Sequence, residues 1–127
     1  MKKKILIVED DPDILFTIRL MLEADDYEVA AYESGKKMVD GNYECPDLFI
    51  LDKRMPDIDG LDLCRALRKK DESKNIPVII ISASPRFGAQ ALQAGATDFL
   101  EKPFEMKTLL RMVQKYTNSG SGKNPAT

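Results

Sequence analysis

Asp52 closes an uninterrupted apolar run, Leu48-Phe49-Ile50-Leu51, and leads into Lys53-Arg54-Met55-Pro56-Asp57-Ile58-Asp59-Gly60. Three acids in a row, Glu9-Asp10-Asp11, close a second run, Ile5-Leu6-Ile7-Val8. Ser82 ends a third, and Lys102 follows Thr97-Asp98-Phe99-Leu100-Glu101. A carboxylate at the end of a buried strand is partly desolvated and held by rigid backbone, which suits metal binding or nucleophilic attack. A cluster of such carboxylates favours a hard divalent cation. Mg²⁺ takes oxygen ligands, keeps several waters and binds through one or two carboxylates plus phosphate oxygens. An aspartate oxygen left free can then attack a phosphoryl group. A lysine and a hydroxyl are the donors that stabilise the transferring charge. Taken alone, Asp52 fits an ordinary helix-capping loop aspartate equally well; the other run ends tip the balance.

These residues need elements to bring them together. Short, continuous apolar runs read as strands buried on both faces. Such runs cover Lys4–Val8, Leu48–Leu51 and Ile76–Ile81, with Pro77 at the start of the last, where no ladder donor is needed. Tyr27–Tyr32 reads as a weaker strand near an edge, and Thr97–Leu100 as a fifth. Asp11 and Pro12 start a helix in which Ile14, Ile18, Met21 and Leu22 recur at helical spacing. Ser34 is placed to cap a short helix over 35–40. Leu61, Cys64 and Leu67 form an apolar stripe after Gly60. A helix of mostly small residues is expected over 86–94, closed by Gly95 in a left-handed cap. Met106, Leu109, Leu110, Val113 and Tyr116 build the last helix. Five strands alternating with five helices predict an α/β, doubly wound parallel sheet covered on both faces. Ligands gather at the carboxyl ends of such strands, where Glu9-Asp10-Asp11, Asp52, Ser82 and Lys102 all fall.

Composition narrows the field. The 127 residues suffice for one domain with a proper core, and 43% apolar with 31% charged residues is an ordinary globular balance. A net charge of −2 gives no electrostatic case for nucleic-acid contact. The chain has no histidine, so Ser-His-Asp and Cys-His chemistry is excluded. Cys45 and Cys64 lack a metal or disulfide framework and suit a reducing cytoplasm. No apolar run approaches the roughly 20 residues that span a membrane. The Gly-, Ser- and Pro-containing segment 118–127 reads as a flexible tail or linker stub after a domain over 1–117.

The sequence resembles the receiver domain of two-component response regulators. The resemblance rests on Ile5-Leu6-Ile7-Val8-Glu9-Asp10-Asp11, Leu51-Asp52 through Gly60, Ile81-Ser82-Ala83, and Ala94-Gly95-Ala96-Thr97-Asp98-Phe99-Leu100-Glu101-Lys102-Pro103-Phe104. It implies a flavodoxin-like sheet of order 2-1-3-4-5. It implies Asp52 as the phosphoacceptor for a histidine kinase or a histidine phosphotransfer protein. Mg²⁺ would be held by Asp10, by Glu9 through water, by Asp52 and by the backbone carbonyl of Arg54. Ser82 would hydrogen-bond the phosphoryl group, and Lys102 would pair with it. Ser82 and Phe99 would form the switch, Phe99 lacking the hydroxyl that tyrosine offers in many relatives. Lys102-Pro103 would be cis. The output would leave by the face of the fourth helix, fifth strand and fifth helix, toward a downstream protein or output domain. Such a protein is a slowly dephosphorylating switch, with no direct nucleic-acid contact by this domain and no membrane association. It can stand alone or be part of a longer protein.

Asp11 is read as a cap or as a support behind the metal-binding acids, and Asp57 and Asp59 as loop solvation. Arg54 and Ser84 occupy family positions that influence hydrolysis of the acyl phosphate. The segment from Ser82 to Lys102 is shorter than usual and contains Pro85. Two rivals remain: a receiver used as a phosphate-independent interaction module, and an aspartyl-phosphate hydrolase. The hydrolases place a second aspartate two residues after the nucleophile, where this chain has Arg54. A flavin protein would meet repulsion between its phosphate and Glu9-Asp10-Asp11.

Overall fold

A computed structural model describes residues 2–118. The expected element order is observed: β1 (Lys4–Val8), α1 (Pro12–Ala24), β2 (Glu28–Tyr32), α2 (Lys36–Val39), β3 (Leu48–Asp52), α3 (Gly60–Arg68), β4 (Val78–Ser82), α4 (Gly88–Gln93), β5 (Asp98–Glu101) and α5 (Met106–Thr117). All strand pairs are parallel, in the order β2-β1-β3-β4-β5. The weak second strand is indeed at an edge. Apart from Asn118, the expected tail lies outside the described residues.

The uninterrupted apolar runs follow from burial on both faces. Leu6, Val8, Phe49, Leu51, Val78 and Ile80 join the α3 residues Leu61, Leu63, Cys64 and Leu67 in one core. Ile5, Ile7, Leu48, Ile50, Ile79 and Ile81 pack with Leu15, Ile18 and Leu22 of α1 and Leu109 and Val113 of α5 in the other. Period-two alternation therefore divides each strand between two cores, and neither face needs polar residues.

Local signals mostly hold. Asp11 caps α1, its Oδ1 accepting from the N–H groups of Asp13 at 2.9 Å and Ile14 at 3.3 Å. Gly95 takes a left-handed conformation (φ +102°), as expected after the fourth helix. Two details differ. Gly35, not Ser34, precedes α2, and it makes no side-chain cap. The segment expected as one helix over 86–94 is a 3-10 turn, Pro85–Phe87, followed by the six-residue α4. Pro85 sets the tight first turn, and few large side chains are available to extend the helix.

Arg68 fastens the far end of this region. Its Nε donates to the Gly95 carbonyl at 2.8 Å, and its Nη1 donates to those of Ile76 (2.6 Å), Lys74 (3.2 Å) and Ser73 (3.3 Å). A Cβ on Gly95 would lie 2.8 Å from Arg68 Cγ, so the glycine also makes room for this side chain. Arg68→Met keeps the stem and removes all four donations. It is expected to cost about 2–3 kcal/mol, the scale of hydrogen bonds to a charged group. Urea unfolding checks this, and a loss below about 0.5 kcal/mol would contradict the role.

Candidate functional site

Backbone pairing at the carboxyl edge of the sheet gathers the predicted residues. Lys53 N–H donates to the Ile81 carbonyl at 2.8 Å, which aligns the ends of β3 and β4. Lys102 N–H donates to the Ser82 carbonyl at 2.8 Å, which aligns β4 with the exit of β5. Glu9 N–H donates to the Tyr32 carbonyl at 3.0 Å, extending β1 beside β2. Gly60 N–H donates to the Lys53 carbonyl at 2.7 Å and folds the β3–α3 loop back on itself. A side chain at Gly60 would press on the backbone of Asp52 and Lys53, with a Cβ 2.9 Å from Lys53 Cα. The glycine is required by this close approach to Asp52.

Glu9, Asp10, Asp52, Arg54, Ser82 and Lys102 all line one cleft of about 910 Å³. Glu9, Asp10 and Asp52 each offer a carboxylate oxygen within 4.8 Å of the others. Glu9 and Asp52 are almost wholly buried, while Asp10 is exposed. Lys102 Nζ stands between the buried acids, 3.0 Å from Glu9 Oε1 and 3.3 Å from Asp52 Oδ1. The other Glu9 oxygen accepts from the Asp11 N–H at 3.1 Å. Ser82 is buried beside them, and its Oγ accepts from the Ser84 N–H at 3.1 Å. The Lys102–Pro103 bond is cis.

The electrostatics are unbalanced. Burial, and then the charge of Glu9, push Asp52 up to about 7, against the pull of Lys102. Burial by itself would lower Lys102, but Glu9 and Asp52 outweigh it and hold its ammonium above the ordinary value. One ammonium therefore serves two buried carboxylates. The donors are all hard oxygens, they lie close enough to share one ion, and they carry surplus negative charge. This set fits Mg²⁺.

Phe99 does not line the cleft. It packs on the core facing α3, and its ring faces the start of α4, 3.5 Å from where a Cβ on Gly88 would lie. Asp57 and Asp59 do more than solvate their loop. Asp57 Oδ1 accepts from the Gly35 N–H at 3.2 Å. Asp59 caps α3 through the Leu61 N–H at 2.8 Å and pairs with Lys53 Nζ at 2.7 Å. Phe87, which also lines the cleft, escaped the sequence reasoning. Its signal was a single aromatic in a segment of otherwise small or polar residues.

The comparisons agree with this fold. Residues 5–114 match the family model of the response regulator receiver domain. The chain is 33% identical over 117 residues to the phosphate regulon transcriptional regulatory protein PhoB of Rhizobium meliloti, covering 90% of this chain and 52% of that protein. It is 39% identical over 113 residues to the response regulator ArlR of Staphylococcus epidermidis, covering 87% and 50%. Among solved structures, a putative response regulator from Chloroflexus aurantiacus superposes with a TM-score of 0.87 at 30% identity, covering 94% of this chain and all of that one (100%). The receiver domain of sensor histidine kinase PA1611 from Pseudomonas aeruginosa, solved with a magnesium ion coordinated in its active-site cleft, gives 0.84 at 31% identity, covering 94% and 100%.

This chain belongs to the response regulator receiver family of two-component systems. It spans about half the length of the curated relatives named above. Among the described residues, no helix is long and apolar enough to cross a membrane.

Proposed function

We propose that the chain is a phosphorylation-controlled switch in which Asp52 accepts a phosphoryl group from a histidine kinase or a histidine phosphotransfer protein. The observation that carries this reading is the shared ammonium of Lys102 between the buried Glu9 and Asp52, beside the buried hydroxyl of Ser82. Asp10, Asp52, the Arg54 carbonyl and, through water, Glu9 would hold Mg²⁺. When bound, the ion supplies positive charge to the transferring phosphoryl group. An Asp52 carboxylate oxygen attacks phosphorus as the P–N bond of the donor phosphohistidine breaks, and the imidazole leaves. Lys102 turns from the Asp52 carboxylate to the phosphoryl oxygens, and the Ser82 hydroxyl donates to one of them. In the resting arrangement the Ser82 Oγ accepts from the Ser84 N–H, so reorienting the hydroxyl alters that bond. Water then attacks phosphorus, the aspartyl O–P bond breaks, inorganic phosphate leaves and Asp52 returns to a carboxylate. The output is a changed surface around α4, β5 and α5, where Phe99 links the start of α4 to the sheet. The fold, rather than turnover of a substrate, is the working part. Residues 1–117 form the switch unit and 118–127 a tail or linker.

Incubation with acetyl phosphate and Mg²⁺, read by intact mass, tests this. One phosphoryl group is the expected gain. No adduct, together with no Mg²⁺ binding, would overturn the assignment.

Arg54 is exposed at the mouth of the cleft, two residues from Asp52. Its long cation can reach a phosphoryl group on Asp52 and obstruct the in-line approach of water. Arg54→Ala is expected to speed loss of the phosphoryl group by about tenfold, a shift of ~1.4 kcal/mol in barrier. Decay of the phosphorylated mass after donor removal measures it. An unchanged rate removes the idea.

A further inference from the structure

One contact joins the Asp52 loop directly to the start of α4. Lys53 Nζ lies 4.0 Å from the centroid of the Phe87 ring, while also pairing with Asp59. The Lys53 side chain is only 17% exposed. Its backbone is pinned at both groups, to Ile81 and to Gly60. Phe87 is the last residue of the 3-10 turn, and α4 begins immediately after it.

Besides the Phe99 ring facing Gly88 and the Arg86 guanidinium 5.1 Å from the Phe87 centroid, little secures that start. The 3-10 turn buries none of its residues and has no capping side chain. Helix α4 has six residues, no side-chain cap and a single buried residue, Ala91. A helix this short does not persist through its own propensity. Its other end is fixed by Arg68 on Gly95 and by the Ala96 N–H on the Ala91 carbonyl at 3.0 Å. The start of α4 is therefore the end able to move.

Ser82 supplies a second connection to the same segment. Its Oγ holds the Ser84 N–H, and Ser84 leads directly into Pro85. Turning the Ser82 hydroxyl toward a phosphoryl group on Asp52 disturbs that bond and pulls on the turn. The Lys53–Phe87 contact resists the pull.

We propose that Lys53 and Phe87 form a latch that holds the start of α4 in its resting place, making both positioning residues for the switch. This inference rests on the phosphoacceptor reading of Asp52. A partly shielded cation over an aromatic face is worth a factor of about five in an equilibrium. Removing the latch weakens the resting arrangement and leaves the phosphoryl-bound one untouched, so the population shifts toward the latter.

Beryllium fluoride with Mg²⁺, a phosphoryl mimic, is the probe, titrated calorimetrically into the full chain. Phe87→Leu and Lys53→Met are each expected to raise apparent affinity about fivefold, the double variant adding nothing beyond either single one. Phe87→Tyr and Lys53→Arg preserve the contact and should keep wild-type affinity. Without the probe, Phe87→Leu should speed amide exchange over residues 84–92 and leave the strands unchanged. Unchanged affinity in both single variants, or independent gains that multiply in the double variant, overturns the latch and leaves the Asp52 site standing. A wild-type chain that binds no beryllium fluoride with Mg²⁺ overturns the phosphoacceptor reading instead, and the latch with it.

Discussion

Asp52→Asn is expected to take up no phosphoryl group from acetyl phosphate and yet to fold more stably than the wild type at pH 8. The first effect follows from removing the attacking oxygen, since an amide is not a nucleophile of this kind. The second follows from the charge balance. Asp52 is pushed up to about 7 by burial and by Glu9. Between about pH 4 and pH 7 the folded chain thus keeps a proton that the unfolded chain has released. Stability must fall as pH climbs through that window, and above it the full penalty remains. Asparagine has the same shape without the charge, and leaves Lys102 and Glu9 as a balanced pair. Asparagine still buries a polar amide that needs hydrogen-bond partners, so the net gain at pH 8 is about 1–2 kcal/mol, below the full conversion of the shift. At pH 4 the gain should shrink toward zero. Mg²⁺ should stabilise the wild type more than the variant and close the gap. Urea unfolding at the two pH values, with and without Mg²⁺, provides the check. A variant less stable than the wild type at pH 8 would show that Asp52 is not strained by its surroundings.

Lys102→Ala should act in the opposite direction. Glu9 and Asp52 lose their shared cation and face each other across the cleft, both almost fully buried. Breaking a buried pair from one side leaves an uncompensated charge, which costs ~3–5 kcal/mol. Lys102 is 19% exposed, and water entering its place screens part of that cost. A loss of about 2–3 kcal/mol at pH 8 is therefore expected. It should be smaller at pH 5, because Asp52 answers by keeping its proton. Mg²⁺ should restore more stability here than in the wild type, since the ion takes over the work of the missing ammonium. Phosphoryl uptake should be slower, because no ammonium meets the phosphoryl oxygens. A thermal melt series across pH and Mg²⁺ tests the first three points. A pH-independent loss would mean that Lys102 contributes packing alone.

The two variants together also separate charge from shape. In Asp52→Asn/Lys102→Ala, Glu9 is the one buried carboxylate left in the cleft. Its stability at pH 8 should exceed the sum of the single effects, because the repulsion that Lys102 relieves no longer exists.

The residues differ in how far their own neighbourhoods reveal them. Asp52, Glu9 and Ser82 each end an apolar run, and a run buried on both faces leaves few options except a strand. Their convergence at one sheet edge followed from the alternation of strands and helices. Lys102 was less visible, since a lysine after a short strand is usually solvated; the Pro103 beside it carried the signal. Phe87 could not be placed from sequence. An aromatic near a helix start reads equally well as core or as surface, and its partner Lys53 lies 34 positions earlier in the chain. Asp59 had the same problem: capping α3 is a local event, but pairing with Lys53 depends on how the loop closes over Gly60. Arg68 is the clearest case of all. On a helix it looks like an ordinary outward cation, yet it holds carbonyls from two separate loops.

By itself, the sequence determined the strand and helix pattern, the two-sided burial of the central strands, and the chemistry of the residues at their ends. Those properties are set by local periodicity and by the step from apolar run to charged loop. Only the tertiary structure decided that Lys102 stands between Glu9 and Asp52, that Asp52 is pushed up to about 7, and that Lys53 meets Phe87. These depend on distances of a few ångströms between segments far apart in the chain. Coulomb energy and desolvation vary steeply over such distances, while the residue pattern that predicts each strand is unchanged by them.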